Sequence, residues 1–506
     1  MSEDYLKSGF TKQSVLEIGT RLKKPPSDTL VQTAFSDEIN QQGPLFEAIG
    51  LIDIAHTLVA IECGTIPRVP GRALLTHLLA LQENPEAIVL APSLGDLYTN
   101  REAWLTERTE AAGWLGAGRA RREATTSALI VVLRSKIVHL IDTLAELIAA
   151  ILDKAQQHSL SVMPDYTYLQ AAQPTTFGHY LLGFAFPLLR DQDRLNALFD
   201  RLNQSPMGCG STNGSRLRQD RRLLADFLGF NGFIPHARDA MWQADLFIEA
   251  SSVLTACSIN LSRLAEDLLV YATQEFALVE LDDRHARASK IMPQKKNPFA
   301  LTHIRGIANK IIGFTASVCA SVRTPTGQPD NRSFIYGELP NALDTVCNAV
   351  SLMTEVLEDL TFIPERGKAL LHSSWTLSTD LAETLVLECG LEFRKAHRLV
   401  AYLASEYPGV GLQSLDSGTI IQAAEKLFGH SLSLSEARLR KALDVDSAIQ
   451  ARSEPGGTSD ASMNHMLTEC RQQLANYRRN NQSRKDRLRL KERSLLERAA
   501  NEVSQP

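Results

Sequence analysis

Five long stretches in which apolar residues recur every three to four positions decide most of what this chain can fold into: 127–152, 177–202, 240–273, 301–322 and 342–360. In the first of them Leu129, Val132, Leu133, Ile137, Leu140, Ile141, Leu144, Leu147, Ile148 and Ile151 fall at the spacing of one face of an α-helix. Runs of this length are too long for strands. A helix with one broad apolar stripe must bury it, and five such helices do so most simply against one another. The reading is an all-α chain built on a central bundle of long helices, and no stretch shows convincing strand alternation.

The rest of the chain arranges itself around that bundle. Residues 1 to about 34 are polar and irregular, broken by Lys23-Lys24-Pro25-Pro26. From Phe46 a helical pattern runs through Leu51, Ile52, Ile54, Leu58, Val59 and Ile61, with His56 on its apolar stretch in an expected packing role. A second short helix is expected over 73–81. After the bundle, the chain from Pro364 carries shorter helices. Between Arg478 and Arg498 nine Lys or Arg stand against three Asp or Glu, which reads as a solvated helical tail, with contact to an acidic partner as the alternative. The expected division is an N-terminal helical domain at 1–125, the bundle with its loop at 126–360, a C-terminal helical domain at 361–474 and a charged tail at 475–506.

At 506 residues with 44% hydrophobic side chains there is ample material for a core, and a net charge of −5 gives no global pull toward nucleic acid or membrane. No run reaches the roughly 18 uninterrupted apolar residues of a membrane span. Met1-Ser2-Glu3-Asp4-Tyr5 lacks the basic-then-apolar pattern of a secretory leader. Seven scattered cysteines, an odd number, fit reduced thiols and a cytoplasmic location. Cys209, in a polar glycine-rich stretch, is read as structural.

One connection between the apolar runs is chemically dense: Arg287-Ala288-Ser289-Lys290-Ile291-Met292-Pro293-Gln294-Lys295-Lys296-Asn297-Pro298. Pro293 and Pro298 fix φ near −65° and steer the preceding residues away from helix, so this segment is a loop. It offers a hydroxyl, three ammonium groups and two amides within nine residues, which suits a doubly charged carboxylate or a developing oxyanion. A solvated basic loop is the plain alternative.

The pattern Ser-x-x-Met-Pro-x-Lys-x-Asn resembles the mobile active-site loop of the aspartase/fumarase superfamily, and Met-Pro-Gln-Lys-Lys-Asn-Pro resembles its argininosuccinate lyase branch. Asp165-Tyr166-Thr167-Tyr168-Leu169-Gln170-Ala171-Ala172-Gln173-Pro174 is similar to that branch's Gly-Tyr-Thr-His-Leu-Gln-x-Ala-Gln-Pro, and Ser262-Arg263-Leu264-Ala265-Glu266-Asp267-Leu268 to its central helix. The correspondence runs in order from about Phe35 to about Leu474.

That resemblance implies β-elimination from a substituted succinate with fumarate as product, a small-molecule carboxylate substrate, and a homotetramer whose active sites are shared between subunits. It implies no metal or organic cofactor, and the sequence has no His/Cys ligand cluster and no phosphate-binding glycine motif. The family's base falls on Ser289, six residues before Lys295, and its anion binders on Lys295 and Asn297. The flank Ala288-Ser289-Lys290 replaces Gly-Ser-Ser, and Lys290 has three readings: it lowers the pKa of Ser289, it acts as a neutral base itself, or it points to solvent. The family's acid, a histidine, is Tyr168 here, and the glutamate paired with it is Thr302. Tyr168 remains a proton donor, with a reference pKa near 10 against about 6.5 for imidazolium. Thr167 and Gln170 keep substrate-contacting positions. Gly118-Arg119-Ala120-Arg121-Arg122-Glu123 resembles Gly-Arg-Ser-Arg-Asn-Asp, so Arg119, Arg121 and Arg122 join the candidate binding set, with Arg122 in place of a carboxylate-facing asparagine. Tyr98 stands for another site histidine. Arg221, after the glycine-rich 208–214 stretch, completes the set. Three functions are compatible with this pattern: a lyase with an altered acid side, acting on an N-substituted aspartate or related succinate in either direction; a non-catalytic scaffold; or the same site turned to another transformation in specialised biosynthesis. Cleavage of argininosuccinate itself is disfavoured, because a guanidine-type leaving group needs the missing acid.

Overall fold

The computed structural model describes residues 14–328 and 334–505; the first thirteen residues, on which the leader reading rests, lie outside the described residues. The N-terminal segment contains α1 (Ser36–Gln41), α2 (Phe46–Glu62), α3 (Arg68–Glu83) and α4 (Leu97–Thr106). The bundle follows as α5 (Arg121–Gln157), α6 (Phe177–Leu202), α7 (Asp245–Tyr271), α8 (Phe299–Val322) and α9 (Ile335–Asp359). These are the five periodic runs of the sequence. The third is shorter than its pattern because the backbone at Gln243 leaves the helix, ending a separate short helix at Ala237–Trp242. Helix α5 packs against α6 and α9, and α7 packs against α8 and α6. Leu133, Ile137, Leu140, Leu144, Leu147, Ile148 and Ile151 of α5 are each 0% exposed, and a buried side chain of this kind stabilises by about 1.5–3 kcal/mol.

Helix α2 is apolar on every side except at Asp53, His56 and Thr57, and every residue from Ala48 to Ile61 lies inside. Among the described residues 43–62 is the one stretch long and apolar enough to cross a membrane, and most of it is covered by the protein's own core. One continuous apolar core joins the N-terminal helices, the bundle and the last helix. A second, separate core binds the helices Ser378–Cys389, Phe393–Glu406 and Ser417–Phe428.

The last helix, α10 (Asp460–Ser504), corrects the expectation of a solvated tail from residue 475. It is one unbroken helix of 45 residues, and Leu495 and Ala499 are buried in the main core. Its cations meet carboxylates on other elements: Arg484 with Asp200 at 3.1 Å, Lys485 with Asp142 at 2.6 Å and Lys491 with Asp226 at 2.6 Å. Near its end Glu502 receives Arg68 at 2.7 Å and Arg72 at 3.0 Å. The positive excess is matched by acid on the surface it covers.

Short strands also form where none was expected. Two of them, β1 (Val162–Thr167) and β2 (Gln170–Thr176), make an antiparallel hairpin. They escape a period-two search because each is buried at one end and exposed at the other.

Candidate active site

The β1–β2 hairpin pairs Thr167 with Gln170, leaving Tyr168 and Leu169 as a two-residue turn. Both turn residues lie in the left-handed region, with φ of 53° and 56°. Tight hairpins demand this geometry and usually meet it with Asn-Gly; Tyr-Leu adopts it at a cost of roughly 1–2 kcal/mol per residue. The side chain of Tyr168 is 99% exposed, so the turn projects it clear of its own chain, and Thr167 and Gln170 are exposed beside it. The hairpin is braced from below: the Tyr166 ring packs on Tyr271 and Phe276, with centroids 5.9 and 5.2 Å apart. Tyr180, which also meets Tyr271, donates its hydroxyl to Asp267 at 3.2 Å. Backbone strain held by such a brace is typical of functional turns.

The proline-pinned loop closes on itself through β3 (Arg287–Ala288) and β4 (Lys296–Asn297). Inside it the Ser289 oxygen accepts from two backbone N–H groups, Met292 at 3.1 Å and Ile291 at 3.4 Å. Lys290 and Lys295 are exposed and have no ion-pair partner among the described residues. Lys296 is different, pinned by Glu280 at 3.1 Å and Asp283 at 2.8 Å. The Asn297 amide donates to the Arg287 carbonyl at 2.8 Å, so one of its two N–H groups ties the loop base together. Thr302, on the first turn of α8, donates to the Pro298 carbonyl at 3.3 Å and carries no acidic function.

The arginines at the start of α5 separate into distinct roles. Arg119 is not available to a substrate: its side chain and that of Asp53 are both 0% exposed, 2.8 Å apart, and Arg101 reaches the same carboxylate at 3.1 Å. His56 is enclosed beside this cluster, and burial, then the Arg119 charge, holds its imidazole well below the usual range. Arg221 is likewise spent internally, on the carbonyls of Met207 at 2.9 Å, Ile234 at 2.8 Å and Pro235 at 3.2 Å. Arg121 is half exposed and pairs with Asp96 at 3.0 Å. Arg122 pairs with Glu38 at 2.7 Å. Tyr98 is buried, and burial pushes its hydroxyl up to about 12. One residue missed from the sequence matters here: Glu123, fully buried, accepts the N–H groups of Gly208 at 2.6 Å and Gly210 at 2.8 Å and clamps the glycine-rich loop to α5. Its position directly after Arg122 in the resembling motif was the available signal. Cys209 lies in that clamp, where burial pushes its thiol up to about 12 and makes it unreactive.

Within one chain no hydrogen bond or ion pair among the described residues joins the hairpin tip, the Ser289 loop and the start of α5. Each presents exposed polar groups outward. The chain is 32% identical over 463 residues to an argininosuccinate lyase of Methanococcoides burtonii, covering 90% of this chain and 92% of that protein. It belongs to the aspartase/fumarase superfamily, on the argininosuccinate lyase-like branch. An argininosuccinate lyase of Methanosarcina barkeri is also 32% identical, over 85% of this chain and 88% of that one. A family model described as Lyase matches residues 86–313. Among solved structures, EDDS lyase in complex with formate superposes with a TM-score of 0.84 at 24% identity, over 95% of this chain and 96% of that chain, a likeness of fold. The protein is thus a carbon–nitrogen lyase of the argininosuccinate lyase-like type, in a superfamily of lyases that act on carboxylates.

Proposed function

We propose that this lyase catalyses β-elimination from an N-substituted aspartate or a related succinate, or the reverse addition, with fumarate as product or substrate and an altered acid side. The observation that carries the reading is the Ser289 loop. Two backbone N–H groups aimed at the Ser289 oxygen, with the ammonium groups of Lys290 and Lys295 nearby in sequence, are what a serine needs to act as a base through its alkoxide. Lys295 and the second N–H of the Asn297 amide then serve the substrate's carboxylate end, and Arg121 supplies a further cation. On the acid side the exposed Tyr168 hydroxyl takes the place of the imidazole. Its projection away from its own chain supports a homotetramer in which the hairpin, the loop and the start of α5 come from different subunits. All seven cysteines are free, which supports a reducing, cytoplasmic setting.

The test follows fumarate release by ultraviolet absorbance across a panel of N-substituted aspartates. Release from at least one member is expected, with kcat reduced by ~10² or more in Ser289→Ala. No release from any member, or full activity in both Ser289→Ala and Lys290→Ala once a substrate is found, rejects the mechanism.

A further inference from the structure

Each arginine at the start of α5 is met by a carboxylate from a different part of the N-terminal segment: Arg119 by Asp53 of α2, Arg121 by Asp96 at the head of α4, and Arg122 by Glu38 of α1. The positive end of a 37-residue helix disfavours guanidinium groups, so these partners set the charge that a ligand meets there. The Arg119 pair is sealed. The Arg122–Glu38 pair keeps 19% exposure on each side chain and lies beside the half-exposed Arg121.

Glu38 is itself held in place. The Gln42 amide nitrogen donates to its carboxylate at 3.2 Å, and the Gln42 oxygen accepts the Leu97 N–H at 2.9 Å. Gln42 is 0% exposed, so both ends of a buried amide are committed. Leu97 adjoins Asp96, whose carboxylate takes Arg121 at 3.0 Å and caps the helix at the Thr99 N–H, 2.9 Å away. One circuit therefore runs from Arg122 through Glu38, Gln42 and the head of α4 to Arg121.

We propose that Glu38 is a specificity-determining residue of the lyase site, positioned by Gln42: it neutralises Arg122, so that Arg121, half exposed although paired with Asp96, is the one guanidinium this end of α5 leaves within a ligand's reach. The inference rests on the proposed function and narrows it. A succinate-type substrate finds one reachable guanidinium here, and a further carboxylate on its nitrogen substituent finds none. The substrate class is then a succinate derivative whose substituent is neutral or cationic. A purely structural ion pair would affect melting and leave the preference for ligand charge where it was.

The experiment is calorimetric titration of the full-length protein with fumarate and with propane-1,2,3-tricarboxylate, for wild type, Glu38→Gln, Glu38→Asp and Glu38→Gln combined with Arg122→Asn. Glu38→Gln is expected to tighten the tricarboxylate at least tenfold with fumarate changed less than threefold. Glu38→Asp keeps the wild-type ratio, and the double variant loses the gain. An unchanged ratio in Glu38→Gln, or a gain that persists without Arg122, overturns the proposal. If wild type binds no fumarate yet the Arg122-dependent gain appears, the inference stands and the proposed function falls. If Glu38→Gln does not fold, Arg122→Asn alone provides the converse: the unmasked Glu38 carboxylate must weaken the tricarboxylate at least threefold relative to fumarate, and an unchanged ratio overturns the proposal.

Discussion

Asp53→Asn is the sharpest test of the division of labour among the arginines. The substitution keeps the shape of the side chain and removes the carboxylate charge that pairs with Arg101 at 3.1 Å and Arg119 at 2.8 Å, all three side chains being 0% exposed. Removing one partner of a buried ion pair costs about 3–5 kcal/mol, because the remaining charge stays buried and unpaired; here two guanidinium groups are left facing a neutral amide. With an unfolding entropy of roughly 2.1 cal/mol/K per residue, a 506-residue chain melting as one unit loses about 1 °C per kcal/mol, so Tm should fall by roughly 3–5 °C. Differential scanning fluorimetry at pH 7.5 measures the shift, and a fumarate titration on the same samples measures the site. Binding is expected to stay within twofold, since Arg119 points into the core. An unchanged Tm together with a tenfold loss of fumarate affinity would show that Arg119 is a ligand and that the buried cluster has been misread.

Argininosuccinate should be turned over at least ~10² more slowly than an enzyme with an imidazole acid achieves, the worth of general acid catalysis; turnover of several per second refutes the altered acid side. Lys290→Ser should move the basic limb of the pH–rate profile upward if Lys290 tunes Ser289, whereas collapse of activity with a tolerated Ser289→Ala makes Lys290 the base. Burial, with Asp96 and Asp53 adding to it, pushes the Glu102 carboxyl from 4.5 up to about 7. A folded pKa above the unfolded one means the native state holds the proton more tightly, so stability declines as pH rises between those two values, by at most about 3 kcal/mol. Glu102→Gln should accordingly melt above wild type at pH 8 and level with it at pH 4.5; equal melting at both removes the strained carboxylate. Light scattering at micromolar concentration should report a tetramer, and a monomer refutes the shared-site arrangement.

The bundle was legible because each helix carries its own apolar period, and α6 spans 177–202 as its pattern suggests because Thr176 caps it, accepting the His179 N–H. The Ser289 loop was legible because its prolines forbid helix locally. Pairings between distant segments were not legible in the same way. Arg119 and its partner Asp53 lie 66 residues apart, and a motif locates an arginine without saying which way it turns. The last helix lacks a sustained apolar stripe beyond residue 474; it is held by isolated core contacts such as Leu495 and Ala499 and by pairing with Asp142, Asp200 and Asp226 on elements made hundreds of residues earlier. The hairpin carries neither alternation nor an Asn-Gly turn, so only tertiary bracing reveals it.

The last helix also imposes an order of events on biosynthesis. Its far end holds the N-terminal segment, through Glu502 with Arg68 and Arg72, and through Arg498, which meets Glu62 at the end of α2. Residues made first on the ribosome therefore wait for residues 460–504 before that face of α2 and α3 is covered. Through most of translation the nascent chain exposes apolar surface that it cannot yet bury, the circumstance in which chaperones bind and neighbouring polysomal chains aggregate. A ribosome stalled before codon 460 should display a protease-sensitive N-terminal segment, and one stalled far enough beyond 504 for that helix to clear the exit tunnel a protected one.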